Sequence, residues 1–221
     1  ALLVAEVDAT AATSTGGVVF TADASNLAGI TFKGSAGGDN FTGGDLSDVV
    51  ITGAGDDIYD MAGGAANTVD LSGGGKDTIE VNALGSKTTV TGFTTGDIID
   101  IENNALDGAE ASITTVLTSA NNPTSDTTTI VSGINAATTS MIATGSQTIA
   151  DFTDMTDVAA YLEEGFTIAD NETFAIILND GTNSYVYDVD DADGTTIQAA
   201  DLGLLVVVEN HILVAADVTQ S

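Results

Sequence analysis

Between Gly34 and Glu80 the apolar positions recur with a short, regular period. Phe41, Val50, Tyr59, Val69 and Ile79 each stand two residues after an acidic or amide residue: Asp39, Asp48, Asp57, Asn67 and Asp77. The spacings of the polar set are 9, 9, 10 and 10. Each unit has a glycine-rich first half, as in Gly43-Gly44-Asp45-Leu46-Ser47-Asp48, and ends in a three-residue stretch with an apolar residue at its middle, such as Val49-Val50-Ile51. A glycine-rich half takes positive φ and a tight turn without steric cost. The closing stretch is strand-length, with its middle residue facing inward. Two such units make one coil of about eighteen residues, so a parallel β-roll is predicted over this region. On that geometry Asp39, Asp57 and Asp77 share one edge, and Asp48 and Asn67 share the other.

Leu2-Leu3-Val4, Val18-Val19-Phe20 and Ile30-Thr31-Phe32 are further strand candidates at coil spacing, with Gly16-Gly17 between them. They read as earlier turns of the same solenoid without the acidic phase. Glycine marks the solenoid: 16 of the 25 lie between Gly29 and Gly96. After the repeats, Thr88 to Ile101 predicts two more strands around Gly92-Phe93 and Gly96-Asp97.

From residue 102 onward glycine is rare and the pattern changes. Ser112 to Thr118 and Thr127 to Val131 are strand candidates that pair across Asn121-Asn122-Pro123, which holds the single proline. Thr148 to Phe152 predicts a strand running into a turn. Asp154 to Glu164 predicts one helix, with Val158, Ala159, Tyr161 and Leu162 on one side and Thr153 or Asp154 as its N-cap. Phe174 to Leu178 and Tyr185 to Tyr187 flank Asn179-Asp180-Gly181-Thr182, a hairpin signal. Leu204 to Val208 and Ile212 to Val214 are expected to finish the sheet. The fold class is therefore mainly β: a β-solenoid over residues 1–101, then a β-rich domain with one short helix over 102–221.

Charge narrows the function classes. The chain has three lysines, Lys33, Lys76 and Lys87, no arginine, 33 acidic residues and a net charge of −30. Nucleic-acid binding needs a basic footprint, which is missing. Attraction to an anionic membrane through basic residues is excluded likewise. Apolar residues make up 43% of the chain, too many for a disordered acidic segment. Solvation in high salt and cation binding remain. No apolar run reaches the ~18 residues of a membrane span, and no cleavable signal peptide is expected, because no basic stretch precedes an apolar block at the N-terminus. Without cysteine, disulfides do not contribute.

Carboxylates stacked one coil apart repel unless a cation lies between them. Carboxylate oxygens with turn carbonyls suit Ca²⁺, which takes six to eight oxygens at about 2.3–2.6 Å. The expected ligands are Asp39, Asp48, Asp57 and Asp77, with Gly34, Ala36, Gly37, Gly43, Gly44, Gly53 and Gly55 lending turn carbonyls and Asp45 and Asp56 lying beside them. Asn67 carries no charge, so its site is expected to be the weakest or empty. Asp188, Asp190 and Asp193 lie in an acid-dense stretch that reads equally as a further calcium site or a solvated loop; Ala192 breaks the alternation of an EF-hand loop.

The repeats resemble the haemolysin-type (RTX) nonapeptide G-G-x-G-x-D-x-U-x, whose use is a calcium-binding β-roll. Val90 to Ile101, with Gly92-Phe93 and Gly96-Asp97-Ile98-Ile99-Asp100-Ile101, is similar to the segment that follows such repeats; Ile101 stands where leucine is usual, and Gly92-Phe93 where Asp-Phe is. The resemblance implies that Asp97 and Asp100 close the last coil, where they either cap a metal or shape a structural turn. The later order of helix, Asn-Asp-Gly hairpin and terminal apolar strands resembles the C-terminal domain of bacterial surface-layer proteins exported by the type I pathway. The resemblance covers residues 34–221. It implies a secreted, cell-surface protein whose partners are calcium ions, the type I export apparatus and, in a surface lattice, other copies of itself. The alternative is the export tail of a secreted lipase or metalloprotease with its catalytic domain upstream. A solenoid for adhesion or ice contact is a third reading, suggested by threonine pairs such as Thr88-Thr89.

Catalysis within these residues is not expected. His211 is the only histidine, which excludes a two-histidine zinc helix, and in an apolar strand it is packed rather than catalytic. Carboxylate pairs for glycoside hydrolysis are available among the acids, but sugar sites carry aromatic platforms and there is no tryptophan.

Overall fold

The computed structural model describes residues 6–13, 15–22, 28–61, 66–81, 87–101, 112–116, 127–131, 148–165, 172–191 and 196–220. Strands alternate between two sheets as the chain coils. One sheet takes β1 (Glu6–Asp8), β3 (Thr31–Lys33), β5 (Val49–Ile51), β7 (Asn67–Asp70) and β9 (Thr88–Thr91) in that order, all parallel. The other takes β2 (Val19–Thr21), β4 (Asn40–Thr42), β6 (Ile58–Asp60), β8 (Thr78–Val81) and β10 (Ile98–Ile101), also parallel. This is the β-roll that the period predicts.

The inward residue of each short strand builds the solenoid core. Phe32, Phe41, Val50, Tyr59, Val69, Ile79, Val90 and Ile99 are all buried, and Phe20, Phe32 and Phe41 pack ring on ring at 5.1–6.2 Å. A three-residue strand can bury only its middle side chain, because successive side chains point to opposite faces. Each coil is therefore weak alone and depends on its neighbours.

The C-terminal half continues this framework. β15 (Leu202–Val208) pairs in parallel with β9, pairs antiparallel with β14 (Ser184–Asp191), and β14 pairs antiparallel with β13 (Glu172–Asn179). The hairpin turns where Asn-Asp-Gly predicts it, with Gly181 at φ 89°. Asp180 Oδ1 accepts the backbone N–H groups of Thr182 and Asn183, and Asp180 Oδ2 accepts the Tyr185 hydroxyl. β12 (Thr127–Val131) and β11 (Ser112–Val116) extend the same sheet to ten strands among the described residues.

Ala175, Ile177, Val186, Val206, Val208 and Val218 join the solenoid core. The opposite face of β13–β15 packs Phe174, Ile176, Leu178, Tyr187 and Val189 against the helix α1 (Met155–Gly165), whose buried side carries Val158, Tyr161 and Leu162. Asp154 is the N-cap: its Oδ1 accepts the Thr156 N–H at 2.9 Å. Among the described residues no helix is long and apolar enough to cross a membrane.

Four expectations are corrected. β11 and β12 do pair, but in parallel, so the connection between them is not a hairpin. Thr148 to Ala150 is not a strand; Asp151 Oδ1 instead accepts the Thr153 N–H and hydroxyl in a tight side-chain turn. Residues 212–214 are not a strand either. The final strand is β16 (Val218–Gln220), and it pairs with β10 in the second sheet. His211 consequently lies in the connection between the sheets, with Nε2 3.0 Å from Asp217 Oδ2 and its ring 4.8 Å from that of Phe93. Leu2 to Val4 lies outside the described residues.

Candidate metal-binding ladder

The phased aspartates form a continuous hydrogen-bonded ladder along one edge of the solenoid. The Val18 N–H donates to Asp39 Oδ1, the Asp39 N–H to Asp57 Oδ1, the Asp57 N–H to Asp77 Oδ1, and the Asp77 N–H to Asp97 Oδ1, at 2.6–3.0 Å. On the opposite edge the Ile30 N–H donates to Asp48 Oδ1 and the Asp48 N–H to Asn67 Oδ1, both at 2.8 Å. Each carboxylate thus holds the coil before it. An amide serves at Asn67 because only an acceptor oxygen is required.

The second carboxylate oxygens divide the set. Asp39 Oδ2 accepts the Ser35 N–H at 2.6 Å, and Ser35 Oγ donates to Asp39 Oδ1. Asp48 Oδ2 accepts the Gly44 N–H. Asp97 Oδ2 accepts the Thr94 N–H and hydroxyl. Asp57 Oδ2 and Asp77 Oδ2 are buried and have no hydrogen bond. Asp57 is 0% and Asp77 1% exposed. Burial pushes the Asp77 carboxyl up to about 7, reinforced by the charges of Asp57, Asp97 and Asp56. Burial also raises Asp57, and Asp39 and Asp56 add to it. Charges removed from water and left without a partner are costly, so these two oxygens are where a cation gains most.

Glycine clears the space for the carboxylates. A Cβ on Gly34 would stand 2.7 Å from Asp39 Oδ2, and one on Gly43 2.9 Å from Asp48 Oδ2. Coil-to-coil contact is closer still at Gly53, where a Cβ would fall 1.4 Å from the Ser35 carbonyl oxygen. Gly37 and Gly44 are buried and Gly55 half-buried in the same turns, while Ala36, Asp45 and Asp56 are exposed. Asp56 Oδ1 accepts the Lys76 N–H, a further link between coils.

The remaining predicted positions are apart from the ladder. Asp100 is half-buried on β10, in register with Glu80. Asp188 is buried on β14 against Gly203 of β15, and burial raises its carboxyl to about 6, with Asp190 adding to it. Asp190 is exposed, and Asp193 lies outside the described residues. Among the described residues no three acidic or histidine side chains converge as a metal cluster. What the spacing does not reveal is the backbone ladder itself. The local donors to the second carboxylate oxygens do leave a signal, a hydroxyl residue three or four positions before the aspartate, as Thr94 before Asp97 and Ser35 before Asp39. The chain matches no protein-family model, no curated protein and no solved structure, so the site is read from its own residues.

Proposed function

We propose that this chain is the calcium-binding C-terminal region of an extracellular surface-layer or surface-adhesion protein, exported by a type I apparatus and folding on calcium outside the cell. The observation that carries this reading is the pair of buried carboxylate oxygens without hydrogen bonds, Asp57 Oδ2 and Asp77 Oδ2, on successive coils of a glycine-rich edge. A cation there would be held by Asp57 and Asp77 together with turn carbonyls. Bound calcium would supply the positive charge that a net −30 chain with three lysines lacks. Asp39, Asp48 and Asp97 keep the coils in register with both carboxylate oxygens already engaged. Export and the surface location rest on the family resemblance. The charge balance agrees with a chain that stays loose where calcium is scarce and closes where it is abundant. Extracellular calcium modules bind at about 10⁻⁴–10⁻³ M, and a site at 100 times its Kd adds about 2.7 kcal/mol.

Hydrogen exchange tests the reading. In chelator at low salt, amides between Gly34 and Glu80 exchange quickly, while those of Phe174 to Val208 exchange more slowly. Millimolar calcium protects the repeats, and magnesium does so poorly because it demands a tighter octahedron. Full protection of the repeats in chelator would overturn calcium-dependent folding.

A further inference from the structure

The second oxygens of the ladder follow the residue five places before each aspartate. Asp39 and Asp48 have glycine there, Gly34 and Gly43, and each closes on its own turn. Asp39 Oδ2 accepts the Ser35 N–H and Asp48 Oδ2 the Gly44 N–H, four places before. Asp97, with Gly92 in that place, closes on Thr94. Asp57 and Asp77 have side chains there instead, Thr52 and Ser72, and these are the two ladder aspartates whose Oδ2 has no hydrogen bond. The steric reason is visible in the glycine turns. A Cβ on Gly34 would stand 2.7 Å from Asp39 Oδ2, and one on Gly43 2.9 Å from Asp48 Oδ2. The carboxylate is the movable end of its side chain, so where a Cβ is present it turns away and gives up that N–H. Thr52 is itself unsatisfied: it is 6% exposed, and its Oγ1 has no hydrogen bond. Buried hydroxyls are ordinarily bonded. The turn from Thr52 to Asp57 therefore holds two buried oxygens without partners, one neutral and one charged. Ser72 is exposed, so of the two turns the Asp57 turn alone buries both.

We propose that Thr52 is a ligand of a divalent cation at Asp57: its Oγ1 and Asp57 Oδ2 bind the ion together, and its Cβ keeps that carboxylate open by denying it the Gly53 N–H. The inference rests on the calcium reading above and adds a hydroxyl that the glycine-rich pattern does not call for. A threonine hydroxyl carries two acceptor lone pairs, and a hard divalent ion takes neutral as well as charged oxygens. Glycine at the same position gives a turn that satisfies itself. The residue five places before each aspartate thus sorts the ladder into steps that only hold the coils and a step that binds a cation.

Three variants of the full chain test this, read as thermal midpoints in chelator and in millimolar calcium and as calcium affinity by titration calorimetry. Thr52→Val keeps the branched Cβ and removes only the hydroxyl. In chelator its midpoint should equal or exceed that of the wild type, because a buried hydroxyl without a partner is gone. In calcium the rise should shrink, with affinity about tenfold weaker, or ~1.4 kcal/mol. Thr52→Ser keeps the hydroxyl and should keep the calcium response. Thr52→Gly should close the turn, so that the Gly53 amide exchanges more slowly in chelator than in the wild type and the calcium response falls. A Thr52→Val that matches the wild type in affinity and midpoint rise overturns the inference, as does a Thr52→Ser that responds no better than Thr52→Val. Unchanged Gly53 exchange in Thr52→Gly overturns the steric part. If Thr52→Gly does not fold, the valine and serine variants decide. A wild type that calcium neither binds nor stabilises sinks the calcium reading and this site with it. A wild type that responds beside a Thr52→Val that responds equally overturns the site alone.

Discussion

The Asp57 carboxylate accepts the backbone N–H of Asp39, eighteen residues earlier, at 2.6 Å. A side chain from one coil thereby closes the backbone valence of the coil before it. Asn67 performs the same act for Asp48 at 2.8 Å with an amide oxygen. The acceptor and the charge of these residues are therefore separable.

Asp57→Asn should preserve the ladder and remove a repelling charge, so stability in chelator is unchanged or higher while the calcium response falls. Asp57→Ala leaves the buried Asp39 N–H without a partner, at a cost of about 1–3 kcal/mol. Urea unfolding of both variants with and without calcium separates the two roles. Equal loss in chelator would show that the acceptor is not what matters.

Without calcium, stability should fall as pH rises from about 4 to about 7. Asp77 has a folded value near 7 against an ordinary 3.8, so across that window the folded state keeps a proton that the unfolded chain releases. Its contribution is complete below the ordinary value and lost through the raised one. Asp188, raised to about 6, acts in the same direction over a shorter range. Thermal midpoints in chelator at several pH values measure this, and Asp77→Asn should flatten the upper part of the slope.

Gly53→Ala should disrupt the repeat. Its Cβ would lie 1.4 Å from the Ser35 carbonyl oxygen, and that neighbour is backbone which cannot turn aside. Gly74 is the control. It has φ +83° but nothing within 4 Å of a Cβ, so Gly74→Ala should cost only the ~1–2 kcal/mol of a left-handed residue with a side chain. Comparable urea midpoints for the two would contradict the close coil stacking.

Asp217→Ala should loosen the end of the solenoid. Asp217 Oδ2 accepts the Val214 N–H and faces His211 Nε2, both at 3.0 Å, and so shapes the segment that carries the chain from β15 to β16. Amide exchange should speed up in β10 and β16 and stay unchanged in β3–β6. Unaltered protection of Ile99 to Ile101 would show that this contact does not hold the last strand in place.

The region from Thr153 to Ser221 should direct secretion of a fused passenger in a host with the matching type I exporter. Secretion that persists after this region is deleted would place the export information elsewhere.

Much of the solenoid was legible because it is local and periodic. Glycines that turn, one apolar residue per short strand and a polar residue two places before it recur at nine or ten, so Phe41, Val50, Tyr59, Val69 and Ile79 reach the core and Asp39, Asp57 and Asp77 reach one edge from spacing alone. The Asn-Asp-Gly hairpin and the helix after Asp154 are local signals of the same kind. Partner choice between distant strands has no such signature. β11 against β12, β15 against β9 and β16 against β10 are pairings between backbone edges that no local pattern joins. The same holds at the site. The sequence determines that carboxylates stack, but which oxygen meets an N–H and which is left bare depends on the register between coils. Asp39 has Ser35 to take up its second oxygen, whereas Asp57 and Asp77 have no equivalent donor within bonding geometry. A hydrogen bond is a matter of tenths of an ångström across chain segments about twenty residues apart, and only the packed structure determines that distance.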